Sequence, residues 1–113
     1  MWLVDANEQL VDTYLVSGRL GVPPPGTYQV FSKSVLAWAT SGGITMRHMV
    51  RFAHGPRVPY GFHSIPRGPD GQPLQTEEQL GEFHSGGCVR QADAKAEALY
   101  AWAPIGTTVI LLP

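Results

Sequence analysis

Apolar and polar residues alternate over short stretches in the first two thirds of the chain, and a period of two predicts β-strands. In Val11-Asp12-Thr13-Tyr14-Leu15 the alternation is partial, which is typical of a half-buried strand. Segments rich in glycine and proline separate these stretches and predict turns. The strands predicted in this way are Trp2–Val4, Val11–Val16, Thr27–Val35, Met46–Phe52 and Val58–Ile65.

The last third of the chain predicts a loop, a helix and a closing strand. Pro66–Gly81 is polar, so we expect a long surface loop with a helical turn near Thr76–Leu80. Ala94–Ala103 is rich in helix formers, its apolar residues recur at helical spacing, and Asp93 stands in the N-cap position. The apolar run Thr107–Leu112 predicts a central strand. The predicted fold class is therefore mainly β, with one helix.

Composition and charge are typical of a small globular protein. The 113 residues suit one domain, and 43% hydrophobic with 15% charged residues favour a packed core over a disordered chain. The formal charge of -1 provides no broad basic surface, which argues against nucleic acid as the main partner. No apolar stretch approaches the roughly 20 residues that span a bilayer, and no signal segment precedes the first strand. We expect residues 1–113 to be one domain, trimmed from a longer protein.

The one cysteine, Cys88, lies in the segment His84-Ser85-Gly86-Gly87-Cys88-Val89-Arg90. A lone cysteine is either a buried small hydrophobe or a reactive thiol. The two glycines let backbone N–H groups point toward an oxyanion, and the predicted helix begins only a few residues later. Together with the positive charge of Arg90, these features predict a lowered pKa for the thiol. The local pattern alone leaves both interpretations open.

A thiol nucleophile usually needs a general base, and the candidates are His48, His54, His63 and His84. His63 ends a predicted strand and His84 is four residues from Cys88, but sequence spacing does not choose between them. A zinc site formed by His63, His84 and Cys88 is an alternative. No ligand pair has the short spacing of a common zinc motif, so we expect neither a metal nor another cofactor.

These residues resemble the catalytic domain of L,D-transpeptidases of the YkuD type. In that family a histidine at a strand end precedes a variable loop and then Ser/Thr-His-Gly-Cys, an apolar residue and Arg or Asn. The corresponding residues here are His63-Ser64 and Ser85-Gly86-Gly87-Cys88-Val89-Arg90. Further segments resemble the family in the expected order, among them Pro24-Pro25-Gly26-Thr27-Tyr28 and Gly106-Thr107-Thr108-Val109. Gly86 departs from the family pattern, which usually has histidine there.

The resemblance implies a fold and a set of residue roles. The fold would be mainly β, with β-sandwich-like mixed sheets and one helix after the catalytic cysteine. Cys88 would be the nucleophile and His63 the general base, oriented by Ser64 or a neighbouring backbone carbonyl. The oxyanion hole would consist of the backbone N–H groups of Gly86, Gly87 and Cys88. The residues expected to contact the substrate are Arg90, Ser85, Tyr60 and Phe62.

The resemblance also implies an activity and its partners. Cys88 would attack the carbonyl between residues three and four of a peptidoglycan tetrapeptide stem, release D-alanine and remain as a thioester. An amine of a second stem would then form a 3→3 cross-link, and water as acceptor would give L,D-carboxypeptidase activity. Carbapenem-type β-lactams would acylate the cysteine, and the location would be extracytoplasmic, in the cell wall or periplasm. The alternative is a catalytically inactive peptidoglycan-binding module of the same fold, which the glycine at position 86 favours.

Overall fold

Eight short strands and one α-helix make up the regular structure of the chain in the computed structural model, which describes residues 1–113. The strands are β1 (Trp2–Val4), β2 (Leu10–Thr13), β3 (Gly26–Gln29), β4 (Ser32–Trp38), β5 (Thr45–His54), β6 (Pro59–Ser64), β7 (Val89–Gln91) and β8 (Thr108–Leu111). The helix α1 is Asp93–Trp102, and a 3₁₀ turn spans Glu77–Gln79. The prediction of a mainly β fold with mixed sheets and one helix is confirmed.

The strands form three sheets. The largest has the order β4-β5-β6-β7, in which β6 and β7 are parallel and the other neighbours antiparallel. The hairpin β1-β2 and the antiparallel pair β3-β8 form the other two. A parallel pair requires a long connection between its strands, and here the chain between Ser64 and Val89 supplies it.

One face of the four-stranded sheet forms the core. Val50, Phe62 and Val89 lie side by side across β5, β6 and β7 and are at least nine-tenths buried. They pack in one cluster with Leu99 and Ala103 at the end of the helical segment. Successive residues of a strand point to opposite faces, so the residues between these positions lie on the other face. That other face is called the site face here, and across β5–β7 it carries Arg51, Gly61, His63, Cys88 and Arg90.

Three predictions about the elements are corrected by the structure. The predicted strand Thr27–Val35 is two strands, because the Val30 N–H bonds toward β8 at Thr107 while the next residue bonds to β5. The closing strand is not central, because β8 pairs only with β3 and Ile110 is 64% exposed. Asp93 is the first helical residue rather than the N-cap, which is Ala92 without a side-chain hydrogen bond.

The predicted loop Pro66–Gly81 is confirmed as irregular structure, and its 3₁₀ turn lies inside the range predicted for a helical turn. One residue of this loop, Gln75, is 5% exposed and therefore points into the protein. None of the helices has the length and apolarity that a membrane crossing requires.

Candidate active site

The register of two parallel strands brings His63 and Cys88 to the same face of the sheet. Phe62 pairs with Val89 on the core face, and His63 pairs with Arg90 on the site face. Continuing this register by one residue sets Cys88 beside Gly61. His63 and Cys88 are therefore diagonal neighbours on this face, while the Cys88 thiol donates a hydrogen bond to the Pro59 carbonyl oxygen at 3.9 Å. The thiol and the imidazole, which a long loop separates in the sequence, thus lie on the same face of the sheet.

His63 is oriented by the backbone of the next residue. The residue is 2% exposed, and its Nδ1 lies 2.5 Å from the carbonyl oxygen of Ser64. Because a carbonyl only accepts, Nδ1 carries the proton and Nε2 is left as the acceptor. Burial lowers the pKa of His63 to about 4, since desolvation outweighs the Ser64 hydrogen bond and the charge of Arg90 acts in the same direction as burial. The imidazole is therefore neutral at pH 7, which is the form a general base needs.

Ser64 contributes its carbonyl group rather than its hydroxyl. The Ser64 Oγ accepts a hydrogen bond from the Arg47 N–H at 2.9 Å, on the face opposite the imidazole. This geometry corresponds to the neighbouring backbone carbonyl that was one of the two orienting groups expected from the sequence.

The environment of Cys88 raises the pKa of its thiol. Burial is the largest cause, and the Gly61 N–H and the charges of Arg51 and Arg90 offset it only in part. The prediction of a lowered thiol pKa is therefore wrong, because the sequence pattern did not show how deeply the sulfur is covered. At neutral pH the two groups are therefore a thiol and a neutral imidazole.

The turn before the cysteine is held by the hydroxyl of Ser85. The Ser85 Oγ donates to the carbonyl oxygen of Cys88 and accepts from the Gly87 N–H at 3.1 Å. The N–H of Gly87 is thus occupied, whereas the N–H groups of Gly86 and Cys88 have no acceptor in the protein. Of the three predicted oxyanion donors, the two at Gly86 and Cys88 remain available. Ser85 thus acts on the shape of this turn, and its contact with a substrate stays a prediction.

The ring of Tyr60 lies between two glycines. A Cβ atom added at Gly87 would stand 2.5 Å from Cε1 of Tyr60, and one added at Gly55 would stand 2.8 Å from Cζ. Gly87 also has a φ of +150°, which side chains rarely adopt. The aromatic ring therefore supports the backbone one residue before Cys88 and fixes where the free N–H groups point.

Arg90 connects the site to the long loop. Its Nη1 donates to Oε1 of Gln75 at 3.1 Å, and the Gln75 amide donates to Oγ of Ser17 at 3.2 Å. The Arg90 Nε is buried without a partner in the protein. Of the two roles expected for Arg90, the ordering of the loop is the one its contacts support.

Two further residues lie away from the site. Phe62 is 7% exposed, with its ring centroid 4.7 Å from that of Phe52, so it belongs to the core and not to a substrate-contacting wall. His84 lies in the loop with Nε2 3.4 Å from a Glu82 carboxylate oxygen, so His63 rather than His84 is the histidine on the strand next to Cys88. No group of three His, Cys, Asp or Glu side chains has the geometry of a metal site. A cavity of about 710 Å³ is lined mainly by apolar residues such as Phe62 on the core face.

Sequence reasoning missed Arg51, the second cation of the site face. It pairs with Gly61 across β5 and β6, next to the position of Cys88. An arginine between Val50 and Phe52 in a predicted strand was a usable signal, since alternation sets it on the face opposite the core.

A comparison with protein families identifies the family of this chain. The family model described as the L,D-transpeptidase catalytic domain matches residues 1–111. The chain belongs to this family. None of the curated proteins compared with it matches.

Solved L,D-transpeptidases share the fold. One from Stackebrandtia nassauensis is 21% identical, with a TM-score of 0.73 over 99% of this chain and 49% of that chain. One from Mycobacterium tuberculosis H37Rv is 28% identical, with a TM-score of 0.62 over 98% of this chain and 46% of that chain. LdtMt1, solved in complex with imipenem, is 18% identical, with a TM-score of 0.73 over 94% of this chain and 51% of that chain. The chain thus spans about half the length of the L,D-transpeptidases it matches.

Proposed function

We propose that this chain catalyses L,D-transpeptidation with Cys88 as nucleophile and His63 as general base, on peptidoglycan stems outside the cytoplasm. The observation that carries the proposal is the shared face of the two side chains, with Nδ1 of His63 bonded to the Ser64 carbonyl and Nε2 left as acceptor. A thiol and an acceptor imidazole of fixed tautomer on one face of a sheet are the two groups that nucleophilic cysteine catalysis requires.

In the first half-reaction the Cys88 sulfur attacks the carbonyl between residues three and four of the donor stem. The thiol proton passes to Nε2 of His63, and the negative charge moves to the carbonyl oxygen. The N–H groups of Gly86 and Cys88 donate to this oxyanion, and losing one such donor costs about 3 kcal/mol of barrier. The intermediate then collapses, the imidazolium returns the proton to the departing amine, and D-alanine leaves a thioester on Cys88.

In the second half-reaction an amine of another stem attacks the thioester. His63 takes a proton from this amine and returns it to the sulfur as the new amide forms, which closes a 3→3 cross-link and restores the thiol. Water in place of the amine yields a free carboxylate, which is L,D-carboxypeptidase activity.

An inactive peptidoglycan-binding module is the second candidate. The raised pKa of the Cys88 thiol and the glycine at position 86 favour it, since a thiol held neutral reacts slowly unless a base takes its proton. The two candidates differ in whether the protein forms an acyl-enzyme.

Mass spectrometry after incubation with a carbapenem distinguishes them. LdtMt1, a solved relative, is known in complex with imipenem, so we expect one covalent adduct on this chain. The adduct is expected to disappear in Cys88→Ala and His63→Ala and to remain in His84→Ala. No adduct on the unaltered chain would favour the binding module. An adduct on Cys88→Ala would refute the nucleophile, and loss of acylation in His84→Ala alone would refute the base.

A further inference from the structure

Arg51 is a charged residue of the site face that the proposed mechanism does not use. It pairs with Gly61 in the β5–β6 ladder, and the continued β6–β7 register sets Cys88 on the other side of Gly61. Glycine has no side chain to separate the two. Both side chains therefore lie on the site face, with β6 between them, at two strand spacings or about 10 Å.

The hydrogen bonds of Arg51 fix one end of its guanidinium group and leave the other open. Nη1 donates to the hydroxyl oxygens of Ser32 and Ser34, at 3.2 and 2.8 Å. Nε and Nη2 donate to no protein acceptor, and neither is among the buried atoms that lack a partner, so both reach solvent. No carboxylate of the chain forms an ion pair with Arg51. The charge is thus held in place and has no internal counter-ion.

The open edge of Arg51 has the geometry that binds a carboxylate. Two parallel N–H groups on one edge of a guanidinium match the two oxygens of a carboxylate and form a bidentate pair. Arg90 offers no such edge, because its Nη1 is bonded to Gln75 and its Nε is buried. The site face therefore has one arginine that serves the loop and one that is free for a ligand.

We propose that Arg51 binds the C-terminal carboxylate of the donor stem, on the amino acid that leaves when the thioester forms. This inference rests on the proposed function and names a specificity-determining residue for it. In the donor the carboxylate is two bonds from the scissile nitrogen, so a donor that lies across the site face from Cys88 toward β5 brings this carboxylate to Arg51. The pair would hold the scissile carbonyl over Cys88 and would select stems that end one residue after the reacting bond.

The effect of Arg51 on the Cys88 thiol agrees with a position of Arg51 near the site. The positive charge of Arg51 lowers the pKa of the Cys88 thiol more than that of Arg90 does, although burial outweighs both.

The experiment compares two synthetic tetrapeptide donors that differ only at the C-terminus, one a free acid and the other a carboxamide. The rate of D-alanine or D-alaninamide release is measured for the unaltered chain, Arg51→Gln and Arg51→Lys. Arg57→Gln, an exposed arginine of the β5–β6 turn, is the matched control. We expect the unaltered chain and the control to prefer the acid by roughly 10- to 100-fold in kcat/KM. Arg51→Gln is expected to lose that preference by slowing the acid alone, and Arg51→Lys to keep part of it.

Two outcomes would overturn the assignment of Arg51: an unaltered chain that releases both products equally fast, or an Arg51→Gln variant that slows both donors alike. The first needs no variant, so it stands even where a substitution disturbs folding. If the chain forms the carbapenem adduct but shows no preference for the acid, the role of Arg51 is refuted and the proposed function is retained. If the chain reacts with neither donor and with no carbapenem, both the role of Arg51 and the proposed function are refuted.

Discussion

Protonation of His63 should make the folding stability of this chain depend on pH between about 6.5 and 4. Burial lowers the pKa of His63 from its ordinary 6.5 to about 4 in the folded state. Between these values the unfolded chain binds a proton that the folded chain does not, so stability is full above the unfolded pKa and falls as the pH drops toward the folded one. Each pKa unit of difference corresponds to 1.36 kcal/mol, which gives a loss of about 3 kcal/mol by about pH 4.

Urea denaturation at a series of pH values measures this loss. Other groups also titrate, so the quantity to compare is the difference between the unaltered chain and His63→Gln, in which the shared groups cancel. His84→Gln is the matched control, because His84 lies in the loop beside Glu82. We expect the control to follow the unaltered chain and His63→Gln to lose about 3 kcal/mol less between pH 7.5 and 4. Identical pH profiles for the unaltered chain and His63→Gln would show that His63 is not held neutral by burial.

Three further outcomes follow from the packing around the site. Gly87→Ala is expected to lower the free energy of unfolding by about 2 kcal/mol, because its Cβ would stand 2.5 Å from the Tyr60 ring at a φ of +150°; an unchanged urea midpoint would contradict that contact. Phe62→Ala should cost about 3 to 5 kcal/mol in the same assay, while Phe83→Ala, at a residue 65% exposed, should stay within about 0.5 kcal/mol, and equal costs would contradict the core assignment. Alkylation of Cys88 by iodoacetamide in the His63→Ala variant should rise with pH through a midpoint above 9.0, and a midpoint near 7 would refute the burial of the sulfur.

The elements with a clear period were predictable from the sequence. Alternation placed the strand Trp2–Val4 correctly, and helical spacing placed the helix to within a residue or two of its bounds. The three-residue strand β7 was missed, because so short a segment after two glycines has no visible period. β8 was misplaced for a different reason: Val109 and Leu111 pack on the core while Ile110 faces outward, so an alternating strand was interpreted as a continuously buried one.

Some features of the candidate site follow from short sequence segments, and others depend on residues far apart in the chain. Cys88, His63 and the free N–H groups follow from short segments, which a family pattern identifies. The roles of Ser85, Arg90 and Arg51 depend on which strands pair and how a loop folds back, and no local spacing encodes either. The raised pKa of the thiol belongs to this second group, because it arises from the summed burial by residues far apart in the chain.

The faces on which the site residues lie depend on the register between β6 and β7. Two neighbouring cross-strand positions each combine a glycine with a larger residue, Tyr60 beside Gly87 on the core face and Gly61 beside Cys88 on the site face. A Cβ at Gly61 would stand 2.5 Å from the Val50 carbonyl oxygen, so the close approach of β5 also needs this glycine. A slip by one residue would move every side chain of β7 to the other face and turn the thiol into the core. The close approaches at these glycines therefore favour one register, and that register is the one that places Cys88 and His63 on the same face.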